Sequence, residues 1–181
     1  MRLRRAEGRD IRAIQAIYAH HVLSGLGTFE EVPPSPAEMA ERHAAIAGRG
    51  LPWLVAEEQG DVLGYGYAGP FRTRAAYRFT VEDSIYVAEA ARGAGIGKAL
   101  LAALIAECET MGLRQMVGVI GDSGNAASIA LHRALGFDFL AVLPGLGWKF
   151  ERWVDVVWMQ RALGRGASSD PDAPGIGGMG V

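Results

Sequence analysis

Val87-Ala88-Glu89-Ala90-Ala91-Arg92-Gly93-Ala94-Gly95-Ile96-Gly97-Lys98-Ala99-Leu100 is the stretch on which the reading of this chain turns. Phe79 to Val87 before it reads as a strand, and Lys98 to Met111 after it reads as a helix. Gly93, Gly95 and Gly97 take three side chains away at the turn, so backbone N–H groups can face outward and a ligand can come close. The helix that follows adds its unpaired first-turn N–H groups and the positive end of its dipole, which makes an anion site. A nucleotide P-loop would need Gly at Arg92 and a hydroxyl at Ala99, and a dinucleotide fingerprint would need a different glycine spacing early in the chain. Both readings fail.

Outward from that loop, 181 residues with half of them hydrophobic suit one domain with a sizeable core. A net charge of −2 speaks against a nucleic-acid or membrane-surface footprint. The lone cysteine, Cys108, cannot form an internal disulfide. No apolar run approaches the length of a membrane span, so a cytoplasmic protein is expected.

Leu3 to Ala6 reads as a first strand, with Arg2, Arg4 and Arg5 on a solvated face. Asp10 is placed to cap a helix carrying Ile11, Ile14, Ile17, Tyr18 and Val22 at helical spacing. Ser35-Pro36-Ala37-Glu38 is a capping box with proline at the first position, opening a second helix to about Gly48. Trp53–Glu57 and Val62–Ala68 form a hairpin in which Gly64 and Gly66 imply a bulge or a close backbone approach. After the glycine loop and its helix come a buried strand, Arg114–Ile120, and a helix, Ala126–Leu135, capped by Asn125. Strands at Phe137–Val142 and Trp153–Gln160 follow. Residues 1–163 form the domain, and 164–181, rich in Gly, Ser and Pro, read as a flexible tail. The expected fold is α/β (α+β), a mixed central sheet with helices on both faces in the order β-α-α-β-β-β-α-β-α-β-β.

Arg92-x-x-Gly95-x-Gly97 after a strand resembles the acetyl-CoA pyrophosphate loop of the GNAT acetyltransferases. Asn125 and Leu131-His132-Arg133-Ala134-Leu135-Gly136-Phe137 resemble a second motif of that family. Thr28-Phe29, Pro52-Trp53-Leu54-Val55-Ala56, Tyr67-Ala68-Gly69-Pro70, Arg74-Ala75-Ala76-Tyr77, Thr80-Val81-Glu82 and Lys149-Phe150-x-x-Trp153-x-Asp155 resemble its phosphinothricin and methionine-sulfoximine acetyltransferase subgroup. The resemblance spans about Leu3 to Arg161. It implies acetyl-CoA as co-substrate, a homodimer, and direct acetyl transfer to the α-amine of a small amino acid or analogue; no His, Cys, Asp or Glu spacing suggests a metal site. Runner-up readings are an acetyltransferase for protein N-termini or polyamines, or a non-catalytic CoA-binding sensor.

Acetyl transfer from a thioester needs a held cofactor, a stabilised oxyanion and a base for the ammonium. Ile85, Tyr86, Val87, Arg92, Gly93, Ala94, Gly95, Ile96, Gly97, Lys98 and Asn125 are the expected cofactor residues, with a backbone N–H near Val87 as oxyanion donor. Strand alternation puts Glu82, Ser84 and Tyr86 on one face, and Asp83 with Val81, Ile85 and Val87 on the other. A carboxylate in a strand interior needs a reason, and the resemblance makes Glu82 the general base. His132 stands where the wider family carries its tyrosine acid, with Tyr86 in reserve; a packed helix histidine is the plain alternative. Arg72, Arg74 and Tyr77 cluster before the Glu82 strand, and arginine suits a substrate carboxylate. The resemblance selects Arg74, with Tyr77 and Phe29 lining the substrate pocket.

Overall fold

The computed structural model describes residues 1–177. Its strands are β1 (Arg2–Arg5), β2 (Trp53–Glu58), β3 (Asp61–Pro70), β4 (Thr80–Val87), β5 (Gln115–Gly121), β6 (Asp138–Lys149) and β7 (Arg152–Ala162). Its helices are α1 (Ile11–Ser24), α2 (Pro36–Ala47), α3 (Ile96–Thr110) and α4 (Ala126–Ala134). The sheet order is β1-β2-β3-β4-β5-β7-β6, and β4–β5 is the parallel pair in an otherwise antiparallel ladder. The expected mixed sheet and element order are therefore observed.

Each sheet face carries its own core. Ile11, Ile14, Ile17, Tyr18 and Val22 of α1 and Met39 of α2 pack on Trp53, Val55 and Tyr65. Leu100, Leu101, Leu104, Ile105 and Cys108 of α3 pack on the opposite face with Leu54, Ala56, Val81, Met116 and Val157. Burying one such aliphatic side chain is worth about 1.5–3 kcal/mol, so the two apolar stripes fix which face each helix covers. α3 can lie close because β3 offers glycines: a Cβ at Gly66 would meet Ile85 Cδ1 at 2.5 Å and Leu104 Cδ1 at 3.2 Å.

β4 and β5 pair only from Thr80↔Gln115 to Asp83↔Gly118 and then separate. Beyond that point β4 stays on β3 and β5 stays on β7, leaving a wedge-shaped gap in mid-sheet. This gap positions the site.

Several local expectations change. Arg4 is not solvated: its guanidinium bonds Asp10 at 2.6 and 2.8 Å and Glu57 at 2.6 Å. Asp10 accordingly holds Arg4 and the Glu7 N–H, and its side chain does not cap α1. β6 runs to Lys149, past Pro144, Gly145 and Gly147, because register shifts in its pairing with β7 absorb them. The C-terminal segment, expected to be flexible, lies against the domain as far as residue 177. Arg114 donates to the carbonyls of Gly166 and Ser169, and buried Ile176 donates its N–H to Arg78 O at 2.7 Å. Composition reports weak local propensity but not an arginine that supplies donors to an irregular backbone. The last four residues of the expected tail fall outside the described range.

Candidate active site

The gap between β4 and β5 opens into a cleft of about 980 Å³. Asp83 to Val87 form one wall; Val119 to Asp122 and Asn125, Ser128, Leu131 and His132 form the other. Arg92, Gly93, Gly95, Ile96, Gly97 and Lys98 close one end; Ala94, expected among them, is not part of the lining. Gly95 is the N-cap of α3 at φ 78°, a left-handed conformation that glycine adopts without strain. The helix therefore starts at Ile96, two residues before the expected start, and aims its free N–H groups at the cleft beside Arg92 and Lys98.

Backbone groups complete the wall. Ala88 N–H donates to Leu63 O at 2.9 Å, and Thr80 O accepts from Phe71, so even-numbered β4 residues turn their polar groups toward β3. Ile85 and Val87 turn theirs the other way, into the gap that β5 has vacated. His21 of α1 lies here too, its Nε2 donating to Val87 O at 3.0 Å and its ring edge-on to Tyr86. Burial lowers the His21 pKa, which favours the neutral ring. Asn125 Oδ1 accepts from Ser128 N–H at 3.2 Å, so this residue caps α4 and borders the cleft at once.

None of the residues expected around the substrate lines the cleft. Glu82 shares its side of β4 with Ser84 and Tyr86 and does not line the cleft. Burial raises its pKa, Asp83 adds to the rise, and Arg72 opposes it. The Arg72 guanidinium sits 4.4 Å over the Phe71 ring and 5.9 Å from that of Trp158. Arg74 is exposed, and its backbone carbonyl opens the turn that carries Tyr77. Arg72 is exposed as well and its charge opposes the rise at Glu82, but among the described residues neither arginine makes an ion pair or hydrogen bond with Glu82. Tyr77 stands edge-on to Phe71 at 5.6 Å, while Phe29 packs directly on Gly147 of β6, where any Cβ would overlap its ring. Tyr86 is packed among Tyr18, Tyr65 and His21, and burial pushes its phenol well above its ordinary pKa.

Three residues emerge that the sequence did not single out. Asp83, 6% exposed, faces the cleft and meets His132. Lys149, fully buried and without an ion-pair partner among the described residues, donates to Gly25 O at 2.9 Å and Thr28 O at 2.8 Å. It thereby ties β6 to the loop after α1 that roofs the cleft. Gly121 gives that loop room, since a Cβ there would overlap Leu26 O. Among the described residues, no group of three or more His, Cys, Asp or Glu side chains could hold a metal ion, and no helix is long and apolar enough to cross a membrane.

Comparison with known proteins agrees with this geometry. The acetyltransferase (GNAT) family signature matches residues 14–137. The chain belongs to the GNAT acetyltransferase family. It is 53% identical over 163 residues to the phosphinothricin N-acetyltransferase of Alcaligenes faecalis, covering 90% of this chain and 83% of that protein. It is 43% identical to an L-methionine sulfoximine/L-methionine sulfone acetyltransferase of Pseudomonas paraeruginosa, covering 89% of this chain and 94% of that one. A GNAT phosphinothricin acetyltransferase from Sinorhizobium meliloti, solved with acetyl-CoA, superposes with a TM-score of 0.93 at 50% identity over 98% of this chain and 96% of that one. The enzyme is thus an N-acetyltransferase with acetyl-CoA as co-substrate. The cleft fits that group: a glycine turn and helix N-terminus with two cations for the pyrophosphate, and an unpaired strand edge along which an amide-bearing arm can pair.

Proposed function

We propose that this GNAT enzyme acetylates the α-amine of a small amino acid of the phosphinothricin or methionine sulfoximine/sulfone type, by direct transfer in a ternary complex. The observation that carries the reading is a half-buried carboxylate, Glu82, whose pKa burial raises and the Arg72 charge opposes, on β4 immediately before the strand residues that line the cofactor cleft. An α-amino acid presents an ammonium and a carboxylate a few ångströms apart, and Glu82 and Arg72 are complementary to that pair. In this reading Arg72 holds the carboxylate, with Arg74 and Tyr77 at the rim and Phe29 as an apolar wall. Glu82, raised toward neutrality by burial, takes the ammonium proton.

The β4 edge supplies the electrostatic part. Val87 N–H, directed into the gap, is the proposed donor to the developing oxyanion, a contribution on the order of 3 kcal/mol where such donors have been removed. Arg92 to Lys98 receive the pyrophosphate, Ile85 and Asn125 flank the pantetheine arm, and His132 protonates the leaving sulfur. Tyr86 is the weaker candidate for that proton, because its raised pKa makes it a poorer acid.

We further assign the exposed apolar side of β6 and β7 to a homodimer. Leu140, Leu146, Trp148, Phe150 and Trp153 are 50–68% exposed along this edge, a surface that a second copy would cover. A single buried cysteine fits a cytoplasmic enzyme. Resistance to phosphinothricin is the phenotype the activity would confer. The test is CoA release with acetyl-CoA and a panel of phosphinothricin, methionine sulfoximine, methionine sulfone, ordinary amino acids, spermidine and an N-terminal peptide. Selective turnover of the first three is expected; turnover of only spermidine or peptide would overturn the substrate assignment.

A further inference from the structure

Asp83 stands at the apex of the wedge, in the last paired position before β4 and β5 part. Its Oδ2 lies 3.1 Å from His132 Nε2, and His132 Nδ1 lies 2.7 Å from the Ser128 carbonyl. A carbonyl only accepts, so Nδ1 carries hydrogen. Nε2 then either carries a second hydrogen toward the Asp83 carboxylate, or accepts one from a protonated Asp83. Both descriptions place a single acidic proton between two side chains that are 4% and 6% exposed and line the cleft. The other Asp83 oxygen, Oδ1, is buried without a hydrogen-bond partner, so the couple has an unused acceptor at the cleft apex.

The surroundings admit the ring and little else. A Cβ at Gly118 of β5 would come 2.7 Å from His132 Cδ2 and 2.9 Å from Nε2. The Phe137 ring meets the imidazole edge-on at 4.9 Å. On α3, Cys108 lies near enough to feel the Asp83 charge, and burial above all pushes its thiol up to about 12, so it stays neutral. Across the strand, Glu82 also feels Asp83. No cation other than His132 makes an ion pair with Asp83 among the described residues. Burial by itself would lower the His132 pKa, but the bond and charge of Asp83, aided by Ser128 O, outweigh it and the pKa is raised.

We propose that Asp83 and His132 form a buried one-proton couple that protonates the coenzyme A thiolate, with Asp83 the positioning residue that keeps His132 loaded. The proposal rests on the acetyltransferase reading. Glu82 takes one proton from the ammonium to free the nitrogen lone pair, hands it to solvent, and takes the second once the C–N bond has formed. As the C–S bond breaks, its electron pair stays on sulfur and His132 releases the Nε2 proton to that sulfur. The couple is left as a carboxylate beside a neutral ring that keeps its Nδ1–H on Ser128 O. Solvent then returns one proton to the couple, and Glu82 passes the second nitrogen proton to solvent, so one net proton is released per turnover.

The test is an NMR titration of His132 in the ligand-free protein, assigned with His132→Gln, alongside pH–rate profiles of wild type and Asp83→Asn. In wild type His132 should titrate above the ordinary value of about 6.5. In Asp83→Asn, where burial acts alone, it should titrate lower by at least about one unit. The same variant should lose about tenfold or more in kcat, keep both KM values within about threefold, and lose rate at lower pH on the alkaline side. Titration of wild-type His132 at or below its ordinary value would overturn the couple, as would an unchanged titration or pH profile in Asp83→Asn. If that variant fails to fold, the wild-type titration decides alone. A wild type that binds acetyl-CoA but acetylates no amine in the panel would count against the acetyltransferase reading, while the titration would still judge the couple.

Discussion

Glu82 and Asp83 are neighbours in sequence and opposites in setting. Both are carboxylates on β4, yet the strand's two-residue period puts Glu82 on the side of Ser84 and Tyr86 and turns Asp83 to His132 in the cofactor cleft. Glu82 has a cation within electrostatic reach and makes no hydrogen bond to its side chain among the described residues, which suits a group that must receive a proton. Asp83 is tied to one imidazole, which suits a group that must hold a proton in place. The same functional group becomes a base or a positioning anion through its neighbours, because burial and one nearby charge act on it in different proportions.

Removing the Glu82 side of this contrast should have the largest effect. Glu82→Gln is expected to lower kcat by about 10²–10⁴ while acetyl-CoA affinity stays within about twofold. A base works only when deprotonated, so the wild-type rate should fall as pH drops through the raised Glu82 pKa. Steady-state kinetics from pH 5 to 9 should show this acid-side limb vanish in the variant. Next in size, Arg72→Lys should raise KM for the amino-acid substrate by about 10–100-fold, and Arg74→Lys by less than about threefold. The reverse order would return the carboxylate clamp to Arg74.

The Asp83 side can be disturbed from β5. Gly118→Ala forces a methyl against His132 and is expected to cost about 1–3 kcal/mol in chemical denaturation. It should also abolish the elevated His132 titration without altering KM for the amine. Wild-type stability carries the same signature. Because the folded His132 pKa is raised, its contribution is complete below the unfolded value near 6.5 and disappears as pH rises through the folded value. The amplitude is about 1.4 kcal/mol for each unit of rise. The His132 contribution to denaturation midpoints from pH 5 to 9 should therefore slope downward in wild type and lose or reverse that slope in Asp83→Asn. The smallest effect on chemistry is expected from Trp153→Glu, remote from both carboxylates. It should turn the proposed dimer into a monomer in analytical ultracentrifugation while changing kcat by less than about threefold.

Much of this arrangement is legible in local pattern. The glycine turn, the helical apolar spacings of α1 and α3, and the capping box at Ser35 all form as written, because each depends on residues a few positions apart. Alternation even separated Glu82 from Asp83. What local pattern missed lies at long range. Lys149 reaches Gly25 and Thr28 across more than a hundred residues, and Arg114 reaches the C-terminal segment across about fifty. Burial of a lysine or the anchoring of a glycine-rich segment depends on donors and acceptors whose meeting no window of sequence contains.

The sequence by itself determined the elements, the two apolar faces, the anion-binding turn and the resemblance that named the chemistry. These follow from backbone preference and side-chain periodicity, which act between near neighbours. Only the tertiary structure decided that β4 and β5 part after Asp83 and that His132 closes on Asp83 from 49 residues away. Those outcomes depend on strand order and on which charges a common burial brings into low dielectric together, where a single partner decides how a group holds its proton.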